Sequence, residues 1–422
     1  MNGAVDRRML LGMKAFPYSR AFLQDIPKSD LHVHLDGSLR IPTLVELAKA
    51  QGVELPSYTE EGLLELVFKE RYANLGEYLR GFAYTCAVMR DPESLRRIAM
   101  ELVEDNIAEG VRYIEVRFAP QLHVHDDMDM QTVLEAVAQG LADGAKKHNA
   151  SDAVREGNDI AFASGIIACA LRSIKPGMSP YYKKLYQLFS GTPVKELCSL
   201  ASMEMVRQAV ALRDDHGIPI VGFDLAGEEA GYPASYHTDA YTYAHRNFMR
   251  KTVHAGEAYG PESIFQALTD CHANRIGHGT FIFADDMIKD PAIRDRKQYV
   301  ESLADYVASQ RITLEVCVTS NLQTTPTFTS IADHPIQDML AHRLSVSVCT
   351  DNRLVSRTSV TDELARITDA IPVALPQFRN IITAGFKGSF FAGGYSCKRE
   401  YVRQMLDRFD ACVETHMGEQ GA

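Results

Sequence analysis

The chain has 422 residues, 46% of them hydrophobic and 23% charged, which is ordinary globular composition. Its formal net charge is −11 with no long Lys/Arg run, which disfavours nucleic-acid or membrane-surface binding and leaves small neutral or weakly charged ligands open. It holds no run of about 18 apolar residues, so no membrane-spanning helix is expected.

The opening stretch, MNGAVDRRMLLGMKAFPYSR, lacks an apolar core long enough for a signal peptide. The eight cysteines show no C-x-x-C spacing and sit mostly in apolar runs, so reduced, buried thiols and a cytoplasmic location are expected. The first predicted strand is SDLHVHLDG (29–37) and the second is VRYIEVRFAP (111–120). The residues between them are too many for one crossover helix. IPTLVELAKAQG and YANLGEYLRGFAYTCAVM both read as helical, which predicts a helical insertion beside the first strand's exit, placed to act as a lid. PESLRRIAMELVEDNIAEG follows, with Leu95, Ile98, Ala99, Leu102, Val103 and Ile107 at helix spacing and Gly110 ending the run.

Beyond the second strand, QLHVHDDMD sets His123 and His125 in a polar segment, read as an exposed rim or loop that holds no metal. HNASDAVREGND (148–159) reads as a mobile loop. Further strands are IAFASGIIACAL (160–171), IPIVGFDLAG (218–227), KTVHAGE (251–257), RIGHG (275–279), ITLEVCVTSN (312–321) and SVSVCTDN (345–352). Helical patterns such as MEMVRQAVALRDDHG, ESIFQALTDCHAN and SLADYVASQ lie between them, and residues after about 360 read as helical again. Eight alternating strands and helices predict a single α/β domain over 1–422: a (β/α)8 TIM barrel with the helical insertion and a helical C-terminal extension. An open doubly wound sheet is the competing topology.

In such barrels the chemistry collects at the C-terminal ends of the strands. Those ends carry His32, His34, Asp36, Gly227, His254, Glu257, His278, Asp351 and Asn352. His32 and His34 are two apart on a strand, so both face the barrel interior. With His254 and Asp351 they form a donor set that suits Zn²⁺ or another borderline divalent ion. The structural alternative for Asp351 is a helix cap or a barrel-end ion pair. It loses ground because strands one and eight are neighbours in a closed barrel. Glu257 is the candidate proton donor, since a water-poor pocket would keep it protonated. His278, between glycines, can approach closely and orient a nucleophile; a satisfied core histidine is its alternative.

The ordered motifs SDLHVHLDGS, FDLAGEE, VHAGE, RIGHG, TSN and CTDN closely resemble the adenosine deaminase family of the metal-dependent amidohydrolases, across about residues 27–355. The resemblance implies one catalytic zinc per chain on His32, His34, His254 and Asp351. It implies that Glu257 protonates purine N1 while His278 and Asp351 hold the oxygen nucleophile that adds to C6. The implied substrate contacts are His34, Asp36 at the ribose 5′-hydroxyl, the Gly227 N–H at purine N3, and the residue after Asp351 at N7. The last position departs from the family, which usually has Asp where this chain has Asn352. An amide donates to N7 directly, whereas an acid must first be protonated. The expected substrates are adenosine and 2′-deoxyadenosine, with 6-aminodeoxyfutalosine, an N6-methylated nucleotide or free adenine as alternatives. A non-catalytic binding barrel is the reading from a different class, and the intact set His32, His34, His254, Glu257, His278 and Asp351 speaks against it.

Overall fold

The computed structural model describes Phe16 and residues 18–418; the stretch read for a signal peptide lies almost wholly outside them. Eight parallel strands follow one another around a barrel in sequence order: β1 Lys28–His34, β2 Val111–Phe118, β3 Ala163–Leu171, β4 Ile220–Ala226, β5 Arg250–Ala255, β6 Arg275–His278, β7 Thr313–Val316 and β8 Ser345–Val348. All eight predicted strands are present. The seventh is shorter than predicted, because Val318–Thr324 turns into a helix directly at the strand exit.

The barrel closes between β8 and β1 through the residue that the sequence marks as a ligand. Asp351 bridges Val33: its N–H donates to the His32 carbonyl at 2.8 Å, and its own carbonyl accepts from the His34 N–H at 2.7 Å. Below this bridge the Thr350 hydroxyl donates to Asp30 at 2.5 Å.

The stretch between β1 and β2 is helical as expected, with Ile41–Gln51, Glu60–Leu66, Leu75–Tyr78 and Phe82–Ala87 ahead of the crossover helix Pro92–Ala108. Asp91 caps that crossover by accepting from the Ser94 N–H, and Pro92 sits at its first turn, where a missing N–H costs nothing. The C-terminal extension forms helices Val360–Ala370, Leu375–Gly388 and Tyr395–Gly418. Gly385 lies against Ser29 of β1 and Ser347 of β8, where a Cβ would come within 2.1 Å of the Ser29 hydroxyl oxygen. Glycine there lets the Leu375–Gly388 helix close the barrel's lower end.

Two expectations need correction. The polar stretch 148–159 is not simply a loop. The preceding helix runs to Asn149, and Ser151 caps a further turn over Asp152–Arg155. The His123 segment is not an exposed rim: His123 is 3% exposed, because Pro120–Leu122 forms a tight turn that tucks the ring inward, while His125 is half-buried. Six of the eight unpaired thiols are buried, Cys86 is half-buried and Cys397 is exposed. No helix among the described residues is long and apolar enough to cross a membrane.

Candidate active site

Strand alternation puts His32 and His34 on one face of β1, and β5 brings in His254. The imidazole nitrogens of these three and a carboxylate oxygen of Asp351 lie within 4.8 Å of one another, all buried. His32 Nε2 and His34 Nε2 each lie 3.5 Å from Asp351 Oδ1, and His34 Nε2 lies 3.2 Å from His254 Nε2. Two features hold the Nε2 atoms inward. The His32 Nδ1 side faces Glu315 at 2.8 Å, and His254 Nδ1 faces Asp224 at 3.0 Å. A carboxylate beside Nδ1 keeps the proton there and leaves a lone pair on Nε2. The His32 Nε2 atom is buried and has no hydrogen-bond partner. Two oriented imidazoles, the His34 ring beside them and one carboxylate fit a borderline divalent cation.

The orienting carboxylates are themselves fixed. Arg117 donates to Asp224 at 2.8 Å and to Glu315 at 2.7 Å, and Arg275 donates to Glu315 at 2.6 Å and to Glu115 at 2.5 Å. All five groups are buried. The barrel interior below the site is therefore an ion network of two guanidiniums and three carboxylates, not an apolar plug. Burial pushes Asp351 up, but the His32 hydrogen bond and the surrounding imidazole charges outweigh it and hold the carboxyl well below its ordinary range. Burial lowers His34 and His254, favouring the neutral rings that a metal requires, and lowers His278 as well. At His32 burial acts the same way, but the hydrogen bonds to Asp351 and Glu315 raise the ring overall.

Glu257 sits on the turn after β5, 3.7 Å from His278 Nε2. Burial, with the charges of Asp351 and Glu229 adding to it, raises its pKa well above the ordinary carboxyl value. Glu229 shapes this turn. Its carboxylate accepts from the N–H groups of Gly256 (3.0 Å), Glu257 (3.0 Å), Ala258 (2.7 Å) and Tyr259 (3.0 Å), and from the Ser263 hydroxyl.

His278 has its tautomer set from a distance. The Ile336 N–H donates to His334 Nδ1 at 3.1 Å, so the neutral His334 ring carries its proton on Nε2. That N–H donates to Asn321 Oδ1 at 3.2 Å, and Asn321 Nδ2 then donates to His278 Nδ1 at 3.1 Å. Neutral His278 is left with its N–H on Nε2, aimed at Glu257 and Asp351. It offers the centre a donor, not a fourth imidazole lone pair. Both His278 (φ 62°) and Asp351 (φ 63°) lie in the left-handed region, strain of the kind that clusters at functional sites.

The remaining predicted residues surround this centre. Asp36 is buried, 4.0 Å from His34 Nδ1, and burial raises it to about 7. Gly227 ends β4 with φ 97°, a conformation that favours glycine. Asn352 is buried, and its Nδ2 donates to the Tyr78 hydroxyl at 2.7 Å, tying the rim to the helical insertion. Its Oδ1 occupies the place where a Cβ on Gly37 would stand, which explains glycine in LDGS. The Phe82 ring of the insertion lies 6.4 Å from His34, edge-on, so the insertion reaches the site. Sequence reading did not assign roles to Asp224, Glu229, Glu315, Asn321 or Arg117. Asp224, Glu229 and Asn321 lie inside the motifs FDLAGEE and TSN, and that was the available signal.

The family profile described as Adenosine deaminase matches residues 27–179 and 193–408. An adenosine deaminase of Mycolicibacterium vanbaalenii is 37% identical over 368 residues, covering 87% of this chain and 91% of that protein. One of Mycobacterium leprae is 36% identical over 370 residues, with the same shares. Among solved structures, the N6-methyl-AMP deaminase of Arabidopsis thaliana superposes with a TM-score of 0.68 at 26% identity, covering 92% of this chain and 98% of that one. An amidohydrolase from Burkhoderia ambifaria with bound Zn shares the fold, with a TM-score of 0.72 at 20% identity and 96% of each chain covered. A buried three-histidine, one-aspartate centre at the mouth of a (β/α)8 barrel, matched over most of the chain by these relatives, places the protein in the adenosine deaminase family, as an adenosine deaminase-type aminohydrolase.

Proposed function

We propose that this enzyme hydrolyses adenosine and 2′-deoxyadenosine to inosine and 2′-deoxyinosine, with one zinc ion held by His32, His34, His254 and Asp351. The carrying observation is the convergence of those four buried ligands beside a carboxyl, Glu257, whose surroundings favour the protonated form. When bound, zinc supplies the Lewis acidity that makes water a nucleophile near neutral pH. Glu257 delivers a proton to purine N1, which draws electrons from C6. His278, through its Nε2–H, and Asp351 aim the attacking oxygen. A C6–O bond forms, the C6–N6 bond breaks, ammonia leaves and a 6-oxo purine remains. The Gly227 N–H contacts N3, Asp36 and His34 line the ribose end, and Asn352 faces N7 with the amide hydrogen that Tyr78 does not use.

A related 6-amino purine nucleoside, such as 6-aminodeoxyfutalosine, or free adenine is the second reading, because Asn352 changes the N7 contact. The solved neighbour named N6-methyl-AMP deaminase raises a nucleotide substrate. Asp36, charged or neutral, offers a 5′-phosphate no counter-charge, which favours the nucleoside. The reading also takes the chain as one domain, working in the cytoplasm with its thiols reduced. Metal analysis together with the ultraviolet change from adenosine to inosine tests the assignment, with deoxyadenosine, adenine, AMP and aminodeoxyfutalosine as comparison substrates. A fully zinc-loaded protein inert on every 6-amino purine would overturn it.

A further inference from the structure

The second H-x-H triplet of the sequence has no part in the centre described above, yet the fold brings its first histidine to a distinct group of donors. Asp36 arrives from the turn after β1, Cys86 from the insertion helix Phe82–Ala87, and His123 from the turn after β2. One ligand atom from each lies within 4.8 Å of the other two. Cys86 Sγ is 3.8 Å from Asp36 Oδ2. His123 is 3% exposed and Asp36 4%, so solvent reaches little of either. Neither ring nitrogen of His123, nor Asp36 Oδ1, makes a hydrogen bond of normal geometry.

A buried imidazole whose nitrogens meet nothing better than a poorly aligned Met89 backbone group is costly unless something uses them. An apolar core position would be filled better by leucine or phenylalanine. Three donors of different kinds, one nitrogen, one sulfur and one oxygen, converge from three separate chain segments. That combination selects borderline or soft divalent ions, and excludes magnesium and calcium, which take oxygen. We propose that Asp36, Cys86 and His123 form a second transition-metal site, of the zinc and cobalt class, that ties the helical insertion to the barrel rim. Binding releases the Cys86 thiol proton to solvent, with the thiolate, one imidazole nitrogen and Asp36 Oδ2 as ligands and water completing the shell, while Asp36 Oδ1 stays on the His34 side, at the ribose end. The ion adds a crosslink to the hydrogen bonds that already join the insertion to the rim, such as Asn352 to Tyr78, so it stabilises the insertion where it lies.

The test uses the full chain carrying one equivalent of zinc, titrated with cobalt(II). A second equivalent is expected to bind with a thiolate-to-cobalt charge-transfer absorption and to raise the melting temperature. Cys86→Ser and Cys86→Ala should lose the absorption, the second equivalent and the added thermal stability, while melting like the parent without cobalt. His123→Gln should weaken the second site by more than the ~10–100-fold typical of losing an outer partner. His254→Ala should lose the first equivalent and keep the thiolate absorption, which separates this site from the catalytic one. Cys397→Ser should change nothing, because that thiol is exposed and remote in sequence. A charge-transfer band that survives both Cys86 variants, or a parent protein that stays at one equivalent under excess cobalt, would overturn the proposal.

Discussion

Replacing Glu229 with alanine removes one acceptor from five donors at once: four consecutive N–H groups on the turn bearing Glu257, and the Ser263 hydroxyl. The Gly256 and Glu257 bonds are fully buried. Leaving a buried donor unpaired costs about 1–3 kcal/mol, so these two give a destabilisation of about 2–6 kcal/mol. Glu229→Gln keeps one accepting oxygen and should fall between parent and alanine. Urea denaturation reads the stability. Turnover of adenosine at fixed zinc content reads the turn, since Glu257 loses its placement while the metal ligands keep theirs. The pH profile gives a third readout. The Glu229 charge helps raise the Glu257 pKa, and protonated Glu257 is the form that donates. The glutamine variant should therefore lose activity at a lower pH on the alkaline side. A Glu229→Ala protein within about 0.5 kcal/mol of the parent, an ordinary surface effect, with unchanged turnover would refute the argument.

Glu257→Gln should retain zinc and lose turnover by about 10²–10⁴-fold, the usual weight of a positioned proton donor; metal analysis beside kinetics checks both halves. His254→Ala should lower bound zinc at the first site, whereas His123→Ala should not, as measured by equilibrium dialysis at limiting zinc. Asn352→Asp should keep deamination and alter substrate preference or pH profile; if both stay fixed, Asn352 does not touch the base. His334 is buried and uses both ring nitrogens as a neutral group, and burial lowers it to about 3. Its unfolded value is higher, near 6.5, so its contribution is complete above pH 6.5 and is lost as pH falls toward 3. That amounts to about 2 kcal/mol at pH 5. Urea midpoints at pH 7 and 5 should converge in His334→Gln relative to the parent.

The strands and the four candidate ligands were legible because both rest on local rules. Short Val- and Ile-rich runs with helices between them define parallel β/α units, and period-two alternation aligns His32 with His34 before any contact is known. The motifs VHAGE and CTDN stand at strand ends, where such barrels keep their chemistry. What failed was also local in origin. His123 lies in a run of polar residues, and polarity near a strand end reads as exposure. The tight Pro120–Leu122 turn reverses this by folding the ring inward.

The sequence by itself determined the barrel class, the positions of the strands, and the identity of the side chains gathered at their exits, since each follows from composition and spacing along a single segment. Only the tertiary structure decided how those side chains are poised. Asp224 and Glu315 set histidine tautomers across the barrel, and the Ile336 N–H fixes His278 through His334 and Asn321. Glu229 gathers a turn from a different strand. Apart from the Ile336–His334 bond, these links join residues on different elements of the fold. Proton position depends on the partner a ring meets in space, and sequence spacing holds no record of that partner.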